Sequence, residues 1–424
     1  MRLVEQHIIK SSHPNYQELD KLCFLSKNLY NSALYAIRQH FFETGNYLNV
    51  YELINRFTHE KQPDYKALPA NVAQQVIMQA DSNFSSFFGL LNKKREGKYT
   101  EKVKIPKYLN KDGRYLLTYT TCALLKSDLE KGLITLRKWK KPLENVKTKQ
   151  RNIQQVRINP KNGYILIDVI YKIKEKELKT DNQRYMSIDL GVNNLAACSS
   201  NVCKPFIING KPLKSINQYW NKIDSEINSE LETVNKSKTS KKKQRLILKR
   251  KNKIKDYFHK TSRIIVNYAV SNNLNTIVIG RNKMWKQDIN NGKVNNQNFV
   301  QIPFNILIRS ISYKAELEGI EVIVREESYT SQASFLDGDF IPTYGKNDKD
   351  GKFSGKRIKR GLYRSKSGRL LNADVHASLN ILRKEFPNAF TDMGLEVCST
   401  PTIVDIPQVK KHCRCLNTMD IKEN

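Results

Sequence analysis

The spacing of apolar residues changes along the chain, and these changes limit the possible folds more than any other feature of the sequence. In residues 16–57, and again after Pro69, apolar side chains recur every three or four positions, which predicts helices. The two apolar stripes consist of Leu22, Leu25, Leu29, Ala33, Ile37 and Phe41, and of Val72, Val76, Ile77, Ala80, Phe84 and Phe87. We interpret both stripes as the core of a helical bundle.

Between about residue 112 and residue 176 the apolar residues alternate with polar ones, as they do in strands. The segments RYLLTYT, LITLRK, QQVRINP and GYILIDVIYKI each predict a strand. Asn162 and Gly163, between the last two segments, favour a tight hairpin turn. We expect an antiparallel sheet or barrel here, followed by a linker over the polar residues 174–184.

From residue 185 onward, short apolar runs alternate with helical segments, which predicts an α/β arrangement. The runs YMSIDL, NTIVIG and EVIVR are typical of buried strands. IPFNILIRSISYKAELEGI and LLNADVHASLNILRK have helical spacing, and Gly319 is the expected C-cap of the first. After Pro387 the composition is mixed and polar, so residues 396–424 are expected to form a loosely ordered tail.

The charge balance predicts a polyanionic partner. The chain has 73 Lys and Arg residues against 41 Asp and Glu residues, a formal net charge of +32. Nucleic acid is the expected partner, since no run of 18 apolar residues indicates a membrane protein. The residues expected to contact nucleic acid lie in the basic stretches 236–260 and 335–370, and they are Lys241, Lys242, Lys243, Arg245, Lys249, Arg250, Lys356, Arg357 and Arg360.

The start of the chain and the cysteines bear on localisation and on metal content. MRLVEQHIIKSSHP lacks the pattern of a signal peptide, so we expect a cytoplasmic protein, associated with the nucleoid if it is bacterial. Paired C-x-x-C units are absent, and the only cluster is His412, Cys413 and Cys415 with Cys398 upstream. This cluster fits zinc poorly, so we predict reduced thiols and no structural zinc.

Three acidic positions lie where an apolar run meets a turn or a helix start. They are Asp189 after YMSI, the pair Glu326 and Glu327 after VIV, and Asp374 before an amphipathic helix. Each acid has an ordinary explanation, because Asp374 could cap its helix and Asp189 could stabilise a turn. In a strongly basic chain, however, carboxylates converging from separate strands and a helix suit two-metal hydrolysis of a phosphodiester with Mg²⁺ or Mn²⁺.

Two of these segments resemble motifs of a known family. SIDLGVNNLAA resembles the first RuvC motif of the TnpB proteins encoded by bacterial insertion sequences, and NADVHASLNILRK resembles their third motif. LCFLSKNLYNSALYAIRQHFF, LPANVAQQVIMQADSNFSSFFGLL, KVKIPKYL and GLYRSKSGRLLNADV also resemble parts of these proteins, so the resemblance covers nearly the whole chain. TnpB proteins are related to compact type V CRISPR effectors and to the eukaryotic Fanzor proteins.

The resemblance implies an α+β multidomain protein. A strand-rich wedge-type domain would comprise residues 1–10 and 101–178, with a helical recognition domain inserted at 11–100. An RNase H-like (RuvC) α/β nuclease domain would follow over residues 183–395, with a helical insert at about 212–272 and a zinc-free basic insert at about 335–370. Residues 396–424 would form the polar tail.

The chain departs from many TnpB proteins in two ways. It has no cysteine between residues 204 and 397, where relatives carry a four-cysteine zinc finger, so no zinc is expected in this insert. Gly280 stands where relatives place the second catalytic Glu. In a subset of the family a Glu on the neighbouring strand, just before Y-T-S, replaces it. By this resemblance Glu327, or alternatively Glu326, is the second metal-binding acid, with Asp189 and Asp374 as the others.

The implied function is that of an RNA-guided endonuclease of a transposable element. It would bind a guide RNA and cut double-stranded DNA beside a short target-adjacent motif. The main alternative is a nuclease-inactive RNA-guided DNA-binding protein, with Gly280 as its supporting feature, or a transposition accessory protein. Action as a transposase on the element ends, and guide-independent junction cleavage, are less consistent with the motifs and with the large amino-terminal region.

Overall fold

The computed structural model describes residues 1–139, 141–235, 239–282, 292–344, 353–391, 398 and 400–406. The chain divides into two compact units, Met1–Lys174 and Glu175–Asn424. The division falls at the edge of the polar stretch 174–184. Among the described residues, no helix combines the length and the apolar character that spanning a membrane requires.

The first unit combines a sheet with a group of helices. In chain order its elements are β1 (Arg2–Lys10), α1 (Tyr16–Thr44), α2 (Val50–His59), α3 (Pro63–Lys66), α4 (Ala70–Arg95), β2 (Leu117–Thr120), α5 (Lys126–Glu130), β3 (Ile153–Lys161) and β4 (Tyr164–Lys172). The strands form an antiparallel sheet in the order β1-β4-β3-β2. β3 and β4 are joined by Asn162 and Gly163, and Gly163 has the positive φ of 83° that such a turn favours.

The helices of the first unit pack along the apolar stripes that the sequence predicts. α1 ends at Thr44 and is capped by Gly45, whose φ is 71° and whose N–H donates to Phe41 O. In α4, the side chains of Val72, Val76, Ile77, Ala80 and Phe84 are all buried. The strand predicted for LITLRK does not form: residues 133–138 contribute only isolated bridges, Leu124 with Leu136 and Leu133 with Lys147.

The second unit is a mixed α/β structure. In chain order its elements are β5 (Tyr185–Leu190), β6 (Asn194–Ser200), β7 (Phe206–Asn209), α6 (Lys211–Glu230), α7 (Lys241–Ser271), β8 (Thr276–Gly280), α8 (Lys293–Val300), α9 (Phe304–Glu316), β9 (Glu321–Arg325), β10 (Lys356–Lys359), β11 (Leu362–Arg364), β12 (Leu370–Asn372), α10 (Ala373–Glu385) and β13 (Thr402–Val404). Six of its strands form a sheet in the order β13-β7-β6-β5-β8-β9. A smaller antiparallel sheet has the order β10-β11-β12.

The direction of the strands in the six-stranded sheet determines where the acids come together. β5, β8 and β9 are parallel neighbours, whereas β6 runs antiparallel to β5. Every residue of β8 is buried, as expected for a central strand with both faces covered. The carboxyl ends of the three parallel strands therefore lie at one edge of the sheet, and α10 packs on β5, β6 and β8 beside them.

Two boundaries differ from the sequence-based expectation. α9 ends at Glu316 and its C-cap is Leu317, while Gly319 has a φ of 69° in the turn that follows the helix. The predicted tail is also not entirely loose, because Thr402–Val404 pairs in parallel with β7 at the edge of the sheet. All three residues, Thr402, Ile403 and Val404, are β-branched and have high strand propensity. His412, Cys413 and Cys415 lie outside the described residues.

Candidate active site

Asp189 and Gly280 lie side by side at the ends of two parallel strands. Ile188 pairs with Ile279, and Asp189 and Gly280 are the residues that follow each of them. On its other side Asp189 pairs with Ala197 of β6. Asp189 is half-buried. Burial, and the nearby carboxylates of Glu327 and Asp374, raise its pKa well above the usual value, while Arg357 opposes the shift. The influence of both acids on Asp189 shows that the three carboxylates are electrostatic neighbours.

Glu327 lies two residues beyond the end of β9 and turns back toward β8. Its backbone N–H donates to Asn282 Oδ1 at 3.0 Å, which fixes the loop that carries it. Its Oε2 atom is buried and has no hydrogen-bond partner. Burial, with a smaller contribution from Glu326, raises the pKa of Glu327 to about 7, although Lys384 opposes this. A buried carboxyl oxygen without a donor is costly unless a cation compensates for it.

The side chain of Glu327 occupies the space beside Gly280. A Cβ atom built on Gly280 would overlap both Glu327 Oε2 and Ile381 Cδ1. Since Gly280 has no side chain, the Glu327 carboxylate reaches the same point from the neighbouring chain segment. The Glu327 carboxylate therefore lies where a side chain at position 280 would otherwise begin.

Glu326 points elsewhere and has ordinary structural partners. Its Oε2 accepts a hydrogen bond from Lys384 Nζ at 2.6 Å, and its Oε1 accepts one from the backbone N–H of Ser328 at 2.8 Å. Lys384 is buried and also donates to the carbonyl oxygens of Ser328 and Pro342. Burial opposes ionisation of Glu326, but the bonds from Lys384 and Ser328 hold its pKa below the usual value. The two glutamates therefore diverge, and because both lie beyond the end of β9, the loop after the strand sets their directions.

Asp374 is at the second residue of α10 and does not cap this helix. The cap is Asn372, whose Oδ1 accepts from the N–H groups of Asp374 at 3.0 Å and Val375 at 3.2 Å. The Asp374 side chain is free to turn toward the sheet edge, where its Oδ2 accepts a hydrogen bond from Asn194 Nδ2 at 2.6 Å. Its Oδ1 lies 3.6 Å from Arg357 Nη2. The alternative role of Asp374 as a helix cap is therefore wrong.

A cleft of about 610 Å³ opens over Asp189 and Asp374. Its lining residues include Asn194, Lys214, Arg357 and Arg360. Arg357 and Arg360 come from the small sheet and its turn, so this basic insert contributes positive charge directly to the cleft. Sequence reasoning placed both arginines among the nucleic-acid contacts, but it did not predict that Arg357 would face Asp374. It missed Asn194, whose position at the start of β6 has no distinctive sequence signal.

The chemistry of these residues fits a divalent cation. Carboxylate oxygens are the ligands that Mg²⁺ and Mn²⁺ prefer, and the unpartnered Glu327 Oε2 atom is an oxygen that a cation would satisfy. In the described part of the chain, however, no three acidic, histidine or cysteine side chains are already arranged so that they could hold a metal ion. The acids are thus neighbours at one sheet edge, without a formed coordination shell.

The six basic candidates on α7 fall into two groups. Lys241, Lys242, Arg245 and Lys249 are exposed. Lys243 Nζ instead donates to Asn228 Oδ1 at 2.5 Å, and Arg250 Nε donates to Asn217 Oδ1 at 2.9 Å. Both partners lie on α6. Lys243 and Arg250 therefore link α6 to α7. Lys242, although exposed, lies 3.4 Å from Glu230 Oε2 of α6, while Lys241, Arg245 and Lys249 remain available to a ligand. Lys356 is exposed on β10.

Comparison with known proteins agrees with these features. A family model described as a probable transposase, OrfB_IS605, matches residues 168–286, and a Cas12f1-like TNB domain model matches residues 304–381. The TnpB-like protein ORF457 of Acidianus two-tailed virus is 24% identical over 418 residues, which cover 89% of this chain and 86% of the viral protein.

Among solved structures, a Cas12f1–sgRNA–target DNA complex matches at 15% identity and a TM-score of 0.33, covering 89% of this chain and 98% of the other. A CRISPR–Cas12f ternary complex matches at 14% identity and a TM-score of 0.35, covering 86% and 82%. At these scores the likeness is too distant to support any detail of the site. The two family models and the TnpB-like relative, which aligns along most of both chains, support the assignment of this chain to the TnpB family.

Proposed function

We propose that this protein is an RNA-guided DNA endonuclease of a transposable element that cuts double-stranded DNA beside a short target-adjacent motif. The observation that carries the proposal is the position of Glu327, whose buried carboxylate lies beside Gly280 and raises the pKa of Asp189. A protein that only binds nucleic acid gains nothing from an uncompensated buried carboxylate at this sheet edge, since such a group opposes folding.

The fold and the charge support this proposal. The order β7-β6-β5-β8-β9, with β6 antiparallel to its neighbours and an acid at the end of β5, is the arrangement expected of an RNase H-like domain. In the first unit, we assign the antiparallel sheet to the wedge-type domain and the helices α1–α4 to the recognition domain. Guide RNA and double-stranded target DNA are the partners that family membership implies, and the net charge of +32 suits both.

Each residue has a defined part in the proposed reaction. Asp189, Glu327 and Asp374 would hold Mg²⁺ or Mn²⁺, which when bound supplies a nucleophilic water and charge stabilisation at the leaving oxygen. Asn194 orients the Asp374 carboxylate through its amide N–H. Arg357 and Arg360, at the wall of the cleft, would bind phosphate oxygens of the strand to be cut.

The alternative of a nuclease-inactive binding protein rests on Gly280, and the carboxylate beside Gly280 weakens that argument. The two functions are separated by purifying the protein after expression with its flanking DNA and sequencing the RNA that co-purifies. One dominant RNA, together with cleavage of a matching target in Mg²⁺, is the expected result. Without such an RNA the guided function is wrong, and guided binding without cleavage would favour the inactive protein.

Removal of divalent metal is expected to abolish cleavage and to leave guided binding of the target intact. The acids take no part in base pairing, and hydrolysis would lose a contribution of several kcal/mol, or at least about 1,000-fold in rate. The measurement is target cleavage by the RNA complex after EDTA treatment, then after addition of Mg²⁺ or Mn²⁺, with gel-shift binding as the control. Cleavage that persists in EDTA would contradict the metal assignment.

Replacing Lys241, Arg245 and Lys249 together by alanine is expected to weaken nucleic-acid binding. For every phosphate that one of these side chains neutralises, its replacement should reduce the slope of log affinity against log salt by roughly 0.9 on duplex DNA and 0.7 on single strands. The matched control is Lys243→Ala with Arg250→Ala, which removes the bonds to α6. This double variant should have a lower melting temperature than wild type but nearly the same salt slope. An unchanged slope in the triple variant would exclude this face of α7 as a contact surface.

A further inference from the structure

Two aspartates in a short loop beyond Glu327 bond to distant parts of the chain. Asp337 Oδ2 accepts hydrogen bonds from Ser334 Oγ at 2.5 Å and from the backbone N–H of Lys366 at 2.8 Å, and it lies 3.2 Å from Ser354 Oγ. Asp339 Oδ2 accepts from the N–H groups of Ser334 at 2.7 Å and Ser354 at 2.9 Å. We call Asp337, Asp339 and these three partners the aspartate clamp.

The clamp attaches the small sheet at two separate points. Ser354 lies two residues before β10, and Lys366 lies in the turn between β11 and β12. β10 carries Arg357, and β12 leads directly into α10 and Asp374. Both attachments therefore act on the segments that bring Arg357 and Asp374 to the cleft.

The loop that bears the aspartates is itself tied to α10. The backbone N–H of Phe335 donates to His376 Nε2 at 3.1 Å. The ring of Tyr363 on β11 stacks on the His376 ring with centroids 3.7 Å apart, and its hydroxyl donates to Gln332 O at 2.8 Å. The loop, the small sheet and the first turn of α10 thus form one connected group.

The small sheet has little apolar core of its own. Within residues 353–372, all of which the structure describes, the buried apolar side chains are Tyr363 and Leu371. Ile358 and Leu370 are exposed. Small sheets with so little buried area need a further restraint, for which disulfides and structural metals are common solutions. Carboxylates that accept several N–H and O–H donors provide strong, directional bonds of another kind.

The electrostatics of Asp337 agree with this role. Burial opposes its ionisation, but the hydrogen bonds from Ser334 and from the N–H of Lys366 hold its pKa below the usual value. The carboxylate is therefore charged at neutral pH, which makes its bonds to the two segments charge-assisted.

We propose that Asp337 and Asp339 are positioning residues that hold the small sheet so that Arg357 stays against Asp374 in the cleft. The role in catalysis rests on the proposed nuclease function, whereas the restraint on the sheet does not. The clamp contacts neither Asp189 nor Glu327 through any of the bonds that define it. Its effect on the reaction would pass through the position of the sheet.

The first test measures the restraint directly. Hydrogen–deuterium exchange of the protein as purified, with any RNA that it carries, is compared for wild type, Asp337→Asn and Asp339→Asn, with Glu321→Gln, an exposed acid at the start of β9, as the control. Peptides covering 353–372 are expected to exchange at least about tenfold faster in the two clamp variants. A loss of about 1.4 kcal/mol of hydrogen bonding changes an opening equilibrium tenfold. Unchanged exchange in these peptides would overturn the proposal.

The second test separates positioning from general stability. Asp337→Asn is expected to lower the cleavage rate by about 100-fold, the order that a small misplacement of reacting groups can cost. If the clamp acts through Arg357, then Asp337→Asn combined with Arg357→Ala should be little slower than Arg357→Ala alone. A merely structural role would give losses that multiply, and wild-type cleavage in Asp337→Asn would also overturn the proposal.

The two tests distinguish a failure of this inference from a failure of the proposed function. If the wild-type RNA complex cuts no matched target, the nuclease function is wrong, and the clamp is then judged by amide exchange alone. If the wild type cuts, the proposal requires both faster exchange of residues 353–372 in the clamp variants and non-additive effects of Asp337→Asn and Arg357→Ala on cleavage.

Discussion

Glu327→Gln is expected to lower the cleavage rate by about 1,000-fold or more, because an amide cannot supply the negative charge that a divalent cation requires and several kcal/mol of transition-state stabilisation would be lost. The buried position of Oε2 makes this residue sensitive, since the atom is not accessible to solvent. The measurement is single-turnover cleavage of a guide-matched target, with binding of guide and target as the control for folding. Cleavage within tenfold of wild type would exclude Glu327 from the centre.

Glu326→Gln is the matched comparison, because it changes the neighbouring residue in the same chemical way. Glu326 pairs with buried Lys384, so its loss should lower the free energy of unfolding by about 1–3 kcal/mol while leaving cleavage within about tenfold at a temperature where the variant is folded. If Glu326→Gln abolishes cleavage and Glu327→Gln does not, the assignment of the two glutamates is reversed.

The sequence was sufficient to predict the elements that carry the acids. Apolar runs gave β5, β8 and β9, helical spacing gave α9 and α10, and the Asn162–Gly163 pair gave the β3–β4 hairpin. These features depend on local periodicity and turn chemistry, which a single sequence contains. The candidate acids followed from their position at the ends of these elements and from the resemblance to TnpB proteins.

Other features could not be read from local pattern because they depend on contacts between distant segments. LITLRK has strand spacing, yet it makes only isolated bridges. Lys243 and Arg250 look like their basic neighbours on α7, and only the packing of α6 shows that they are bonded internally. The contact of Arg357 with Asp374 joins residues on different elements, and no spacing rule predicts it.

The sequence pattern around Gly280 and the structure around it lead to opposite conclusions about the site. In the sequence, a glycine at the end of a buried strand indicates a missing ligand. In the structure, the absence of a side chain is what leaves room for the Glu327 carboxylate and for Ile381. The glycine is then a requirement of the centre that we propose, since any Cβ at this position would compete with the acid for the same space.

Gly280→Ala is therefore expected to reduce both stability and cleavage far more than the addition of one methyl group suggests. The added methyl group would overlap Glu327 Oε2 and Ile381 Cδ1, and overpacking of this kind lowers the free energy of unfolding by about 1–3 kcal/mol. Displacement of the carboxylate should also reduce cleavage by about 100-fold. Thermal denaturation and single-turnover cleavage measure the two effects, and Gly89→Ala in α4 is a control for glycine replacement, since its Cβ would meet nothing within 4 Å.

The sharpest form of this prediction moves the carboxylate from one strand to the other. In a Glu327→Ala background, Gly280→Glu is expected to regain cleavage that Glu327→Ala lacks, because the new side chain starts beside the space that Glu327 has left. Ile381→Val, which removes Cδ1, should improve the recovery further, since Ile381 is the other group that a side chain at 280 would meet. Restored cleavage would show that the centre needs a carboxylate at this point in space, whichever strand supplies it. If the triple variant Glu327→Ala, Gly280→Glu and Ile381→Val folds and binds target yet does not cleave it, Glu327 has a role that a carboxylate attached at position 280 cannot supply.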